Sequence, residues 1–394
     1  MPHILTYWLS KIKWVCREDV PAAIIGLEGW KGVSVFATQI SLPPIAAKKD
    51  GCYNTPPLEN NVKCTAAVHV GWRRTKEKNM NLTRKSFLEL SSLAALAGCR
   101  GFCQCGDKGS VYKGIPIGVI TYSYRSMQAG AGKTLAYVLD SKLSTIELMS
   151  NDVEIDAGAP MNKLSWKMSK EEKAALAAWR LNADMKRYED VRAKYAAAGV
   201  EVHIVKFGDI GAKGLSDAEM DYRFKVARAM GADTITREIP DPKNIPGWWE
   251  AEGKRLAAFA EKWDTNIAFH NHLQINATTY DGPLLGYSKK FMINYDIGHF
   301  TAANDTDPLD MVRKYHDRIV SIHIKDRTTK AHGQKNLPFG TGDTPLTGLF
   351  ALMLKEGWTF PCDIELEYEI PKSSNAVKEV GICNDFCRNG IERC

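Results

Sequence analysis

The chain has no cysteine between residues 106 and 361, although it carries ten in all. A site built in that stretch cannot be held by thiolates, and no CxxC pair exists anywhere to suggest a zinc module. No uninterrupted apolar run approaches the roughly 18 residues of a membrane-spanning helix. Positive charge is also missing where it would matter for nucleic acid. Residues 106–394 carry 38 Lys and Arg against 39 Asp and Glu, so the net +6 arises entirely in residues 1–105, with 14 basic against 7 acidic. Nothing in the larger part is built to neutralise a phosphate backbone. A composition of 44% hydrophobic and 25% charged residues excludes a disordered chain.

What is present instead is a rhythm of histidines and carboxylates. Six of the nine histidines lie between His270 and His332. Four short apolar runs end in such groups: NIAFHNH to His272, FMINYDIGH to His299, IVSIHIKD to Asp326 and CDIELEYE to Glu369. A single histidine beside a strand is more often a satisfied structural group than a ligand. Acidic residues at strand ends commonly cap the next helix. Repetition in phase outweighs both readings. The steps from His270 to Asp296, to His323 and to Glu365 are 26, 27 and 42 residues, and one strand–helix unit needs about 30. Polar side chains at the C-terminal ends of successive strands describe the mouth of a (β/α)8 barrel, where such barrels keep their sites. Imidazole and carboxylate donors suit Mn²⁺, Mg²⁺, Co²⁺ or Zn²⁺.

The rest of 112–394 alternates in the same way, as a parallel α/β domain should. Strands are predicted over 115–124, 143–150 (ending near Glu147), 200–208 and 232–239, the fourth delivering Glu238. One helix is expected from Lys170 to a stop at Gly199, another capped by Ser216 or Asp217, and a third over WWEAEGKRLAAFAEKW. Glu238 is read either as an extra ligand or as an ion-pair partner of Arg237. Cys383 and Cys387, one helical turn apart, are read as small apolar packing residues or as members of a C-terminal disulfide.

Taken in order, IAFHNH, NYDIGHF, SIHIKDR, PFGTGD and IELEYE resemble the xylose isomerase-like TIM-barrel family over about 280 residues. The resemblance implies a (β/α)8 TIM barrel and a divalent ion, Mn²⁺ foremost, bound by His270, Asp296, His323 and Glu365. Glu367 and Glu369 share a face with Glu365 and compete for its place. The same resemblance implies substrate contacts from Glu147, His272, His299 and Asp326. It implies a proton-handling role for Glu365 with Glu238 or His270 opposite, and Lys325 stabilising an enediolate. The expected activity is isomerisation or epimerisation of a small keto- or phospho-sugar. The runner-up is elimination from a 3-keto-glycoside or inosose by a lyase or dehydratase. Ketose 3-epimerases of the family carry glutamate where His270 stands, a departure that weighs against simple epimerisation. An endonuclease IV-like repair enzyme, which needs a basic face, is disfavoured by the charge balance, and no nucleic-acid partner is expected. A non-catalytic sugar-binding lipoprotein is disfavoured by the complete ligand set.

Residues 1–79 show no sustained period and are expected to be a poorly structured extension. Residues 80–105 resemble an export signal: Arg84-Lys85, then FLELSSLAALAG, then Leu96-Ala97-Gly98-Cys99, similar to a lipobox with a lipid anchor at Cys99. The competing reading is an ordinary amphipathic helix. An exported, periplasmic or membrane-anchored location is expected, with the cytoplasm as the alternative.

Overall fold

Strands of a parallel barrel are covered on both faces, so they read as nearly continuous apolar runs. Eight such runs pair here. The structure, a computed structural model, describes residues 109–161 and 168–394, together with the backbone of Lys13–Val15 and Ile24–Gly26, which pair antiparallel. The signal-like segment, Cys99 and all other residues expected to form the extension lie outside the described residues. The chain divides into two units, Met1–Cys103 and Gln104–Cys394, and the barrel lies wholly within the second.

Its strands are β1 Ile115–Ile120, β2 Thr145–Met149, β3 Glu201–Lys206, β4 Thr234–Glu238, β5 Asn266–His270, β6 Phe291–Asp296, β7 Ile319–Ile324 and β8 Cys362–Ile364. Each pairs in parallel with the next, and β8 pairs with β1 through Cys362–Ile117 and Ile364–Val119, closing the sheet. The expected (β/α)8 barrel is therefore the fold. The strands are shorter than predicted. Thr121–Tyr124, read as the end of β1, is a 3-10 turn.

Along the strands one set of side chains (Ile117, Val119, Ile146, Leu148, Ile235, Phe269, Tyr295, Ile322, Ile364) belongs to the buried apolar core. A second set fills the lumen and is unusually polar. Thr236 Oγ1 and Asn294 Nδ2 both donate to Glu147, at 2.6 and 2.9 Å. His203 bridges Thr145 Oγ1 and Asp363 Oδ2 at 2.8 and 2.9 Å. Most of these bonds join strands that are not neighbours, so they cross the barrel interior, where branched apolar layers are the usual filling.

Two helical expectations need correction. The run from Lys170 to Gly199 is two helices, α3 Lys170–Leu181 and α4 Met185–Ala197. The break falls at Asn182-Ala183-Asp184, where the Asp184 carboxylate accepts the Lys186 N–H at 2.9 Å and starts a new helix. Hydrophobic period alone runs straight through this point. The tryptophan-rich helix opens with one α-helical turn, Ile245–Trp248, and passes through a π segment, Trp249–Gly253, before α6 Lys254–Trp263. A Cβ on Gly253 would stand 2.8 Å from Trp249 and 2.9 Å from Trp248, so glycine is what admits both indoles. Ahead of α3 run α1 Ala131–Asp140 and α2 Ser150–Asp156. Between α4 and α6 lies α5, Asp217–Met230, capped by Ser216 in a reciprocal box with Glu219. The remaining helices are α7 Ile297–Ala303, α8 Pro308–Tyr315, α9 Leu346–Glu356 and α10 Ala376–Arg393. Cys362, Cys383, Cys387 and Cys394 are free thiols. Cys383 and Cys387 are on the buried face of α10, so the packing reading replaces the disulfide. Among the described residues no helix is long and apolar enough to cross a membrane.

Candidate metal centre

His270 is the last residue of β5 and Asp296 the last of β6; His323 is the penultimate residue of β7, and Glu365 follows β8 directly. Parallel pairing puts these ends side by side. One ligand atom from each of the four lies within 4.8 Å of those of the other three, and all four residues are buried. Sequence spacing thus predicted a set that the barrel does bring to one point.

The hydrogen bonds around the cluster leave specific lone pairs over. His270 Nδ1 faces Asn294 Oδ1 at 2.7 Å, while its Nε2 is buried without a partner. Asp296 Oδ1 accepts the His299 N–H at 2.7 Å and caps α7, and its backbone N–H donates to Asn271 Oδ1 at 2.9 Å. Asp296 Oδ2 is buried with no hydrogen bond, although the Lys325 ammonium stands 2.9 Å away as an ion pair. His323 faces Glu147 Oε2 through Nε2 at 2.9 Å and Glu365 Oε2 through Nδ1 at 3.2 Å. Buried polar atoms are nearly always satisfied, so the unpartnered His270 Nε2, in a cluster whose carboxylates already draw the Lys325 ammonium, fits a cation. Two imidazoles and two carboxylates are a donor set for a divalent one.

Lys325 is the cation the chain itself supplies. Its Nζ lies 2.8 Å from Glu365 Oε2, 2.7 Å from Glu367 Oε2 and 3.0 Å from His299 Nε2. Burial would push this ammonium down, but Asp296, Glu365 and Glu367 hold it well above the usual lysine range. Burial likewise works against charge on His323, and Glu147 with Glu365 overcomes it, holding the imidazole up at about 10. Burial raises Asp296 to about 6, partly offset by Lys325. His270 is held well below its ordinary value, first by burial and then by Lys206 and His323. Burial and Lys325 depress His299 to about 3.

The other predicted residues divide into those at the mouth and those elsewhere. His272, His299 and Glu367 line a cavity of about 880 Å³ that also touches Ile239, Asp241 and Lys243. Glu238 pairs with Lys206 at 3.2 Å and His272 at 3.5 Å. Its expected partner Arg237 points away, donating to the carbonyls of Ile210 and of Glu238 itself. Glu147, expected to touch substrate, is wholly buried in the lumen, where Thr236, Asn294 and His323 surround it. Asp326, also expected at the substrate, turns to the loop after β7 and accepts the N–H groups of Gly340, Thr341, Gly342 and Thr344. A Cβ on Gly342 would lie 2.4 Å from its Oδ1, so the glycine-rich loop closes on this carboxylate. Glu367 shares the Lys325 contact with Glu365, whereas Glu369 is exposed. Sequence reasoning missed Asn294 and Lys206. Asn294 had one available signal, since it stands two residues before Asp296 on the same strand face.

A closed eight-stranded parallel barrel with a cation-competent cluster at the C-terminal ends of β5 to β8 defines a class of protein. Within it, the chain belongs to the xylose isomerase-like TIM barrel family, whose profile matches residues 179–385. Solved structures share the fold at low identity. A xylose isomerase domain protein from Alicyclobacillus acidocaldarius is 13% identical, covers 71% of this chain and 98% of its own, and superposes with a TM-score of 0.52. The probable 3-DHS dehydratase AsbF of petrobactin synthesis from Bacillus anthracis is 12% identical over 69% of this chain and 98% of its own, with a TM-score of 0.51. The IOLI protein with a bound zinc atom is 12% identical over 71% of this chain and 99% of its own, with a TM-score of 0.50. At such identities the likeness is one of fold. No curated protein matches the chain.

Proposed function

We propose that this barrel is a divalent-cation-dependent enzyme that moves a proton next to the carbonyl of a small sugar. The observation that carries the reading is the convergence of four buried ligand atoms within 4.8 Å, with His270 Nε2 left without any hydrogen bond. His270, Asp296, His323 and Glu365 would hold the ion, Mn²⁺ foremost. When bound, it would polarise the carbonyl as a Lewis acid. The chain's own groups supply the rest. Glu365 takes the α-proton, and Lys325, fixed by Glu365 and Glu367, offsets the negative charge that develops on the sugar oxygens. His272, His299 and Glu367, lining the adjoining cavity, orient the hydroxyls. Returning the proton to another carbon or face gives isomerisation or epimerisation.

One observation favours elimination as the second outcome. Glu365 and Glu367 gather on the same ammonium, whereas Glu238 on the opposite wall is engaged by Lys206. Epimerisation between two faces needs a proton-transfer group on each, while syn elimination can use a base and an acid on the same side. The zinc-bound and dehydratase structures that share this fold are consistent with either outcome. Export with a lipid anchor at Cys99 belongs to the same proposal and is tested by lipid labelling of the full chain against Cys99→Ala.

The test is a screen of the Mn²⁺-loaded protein against ketoses, inososes and 3-keto-glycosides in deuterated water. Deuterium entering the α-position with the skeleton intact supports isomerisation or epimerisation, and release of a β-substituent supports the lyase. Exchange that proceeds equally after chelation would sink the cation dependence, and no exchange with any of them would sink the reading as a whole.

A further inference from the structure

We infer that Asn294, backed by Glu147, is a positioning residue that sets which ring nitrogen each of the two cluster histidines presents, an inference that rests on the reading of the cluster as a cation site. The amide of Asn294 is completely buried. Its Nδ2 donates to Glu147 Oε2 at 2.9 Å and to Ser321 Oγ at 2.6 Å. Rotating the amide by half a turn would set its oxygen against the Glu147 carboxylate, two acceptors with no proton between them, so the orientation is determined by the network. The oxygen must then face His270 Nδ1, and it does so at 2.7 Å. His270 therefore carries its proton on Nδ1 and presents a bare Nε2, the atom found without any partner.

The same carboxylate oxygen treats the other histidine in the opposite sense. Glu147 Oε2 also receives His323 Nε2 at 2.9 Å, so that nitrogen keeps its proton, and Nδ1, which shares a proton with Glu365 Oε2 at 3.2 Å, is the nitrogen left for a cation. One buried carboxylate from β2 and one buried amide from β6 thus govern histidines on β5 and β7. Neither Asn294 nor Glu147 is among the residues that line the cavity, so their part is to act through the imidazoles. An imidazole with the wrong tautomer directs an N–H at the cation, which ligation forbids.

The experiment uses the full chain labelled with ¹⁵N-histidine, stripped by chelation and then titrated with Mn²⁺ or, for spectra, Zn²⁺. Long-range ¹H–¹⁵N correlation of the stripped wild type should show His270 protonated at Nδ1 alone. Asn294→Leu should move that proton toward Nε2 and weaken Mn²⁺ binding by about 10- to 100-fold, in line with the loss of other outer partners of metal-bound histidines. A wild-type His270 already protonated at Nε2 overturns the inference without any variant having to fold. So does an Asn294→Leu protein that keeps both tautomer and affinity. Should the wild type show the expected tautomer yet bind none of Mn²⁺, Mg²⁺, Co²⁺ or Zn²⁺, the cation reading fails while the role of Asn294 in setting the ring stands.

Discussion

A buried ammonium carries a full charge, and Lys325 has three carboxylates around it: Asp296, Glu365 and Glu367. Its charge is what allows three carboxylates to share one small volume. Removing one partner of such a group leaves uncompensated charge that costs about 3–5 kcal/mol. Lys325→Met should therefore melt much lower than the wild type in chelator. Added Mn²⁺ should raise its melting temperature by more than it raises that of the wild type, because the ion would then be the principal counter-charge. Equal shifts for both proteins would show that the lysine and the ion do not share these carboxylates. Glu365→Gln keeps the shape but removes the base, and turnover on the true substrate should fall by about 10²-fold or more with circular dichroism unchanged. If Glu367→Gln abolishes activity while Glu365→Gln retains it, proton transfer belongs two residues further along.

At the scale of elements, the joints between helices and strands hold the mouth in place, and two can be probed apart from chemistry. Ser216→Ala removes both the cap of α5 and its box with Glu219, and should cost about 1 kcal/mol, seen as a melting temperature lower by a few degrees. Asp152, in the first turn of α2, accepts from Gly130 N and Thr134 Oγ1 at 3.0 and 3.2 Å and ties α2 to the start of α1. Burial raises its carboxyl to about 6. A folded value above the unfolded one means that the favourable contribution is complete below about pH 4. It is then lost as the pH rises through about 6. Asp152→Asn should therefore be more stable than the wild type by about 1–3 kcal/mol at pH 7.5 and no more stable at pH 4. Denaturant melts at the two pH values decide it, and a gain of the same size at both would refute the titration.

For the whole molecule, closure of the sheet by β8 on β1 means that the barrel is complete within residues 115–364. The absence of periodicity in residues 1–79 and this closure lead to one expectation. A chain beginning at residue 104 should keep the melting temperature and Mn²⁺ affinity of the full protein to within about a degree and twofold, the ordinary reach of changes remote from a core. A large loss of either, by calorimetry, would make the leading segment part of the working fold.

The alternation of apolar runs and helical periods, and the interval between His270, Asp296 and His323, were enough to specify a barrel with donors at its mouth, while the resemblance implied the four-residue set and left Glu365 in competition with Glu367 and Glu369. The reason is that a parallel strand must return once per strand–helix unit, which turns linear spacing into angular position around one mouth. Caps were legible too, since Ser216 and Glu219 act within three residues of each other. Other features depended on contacts between strands far apart in the chain. Glu147 lies 147 residues from Asn294 and 176 from His323, so nothing local distinguishes an acidic residue that braces imidazoles in the lumen from one that meets a sugar at the rim. Asp326 is the same case at shorter range, because only the folded loop shows that its oxygens are taken by backbone N–H groups. Periodicity reports which face a residue occupies; it cannot report which partner waits there, and that was decided by the closure of the barrel.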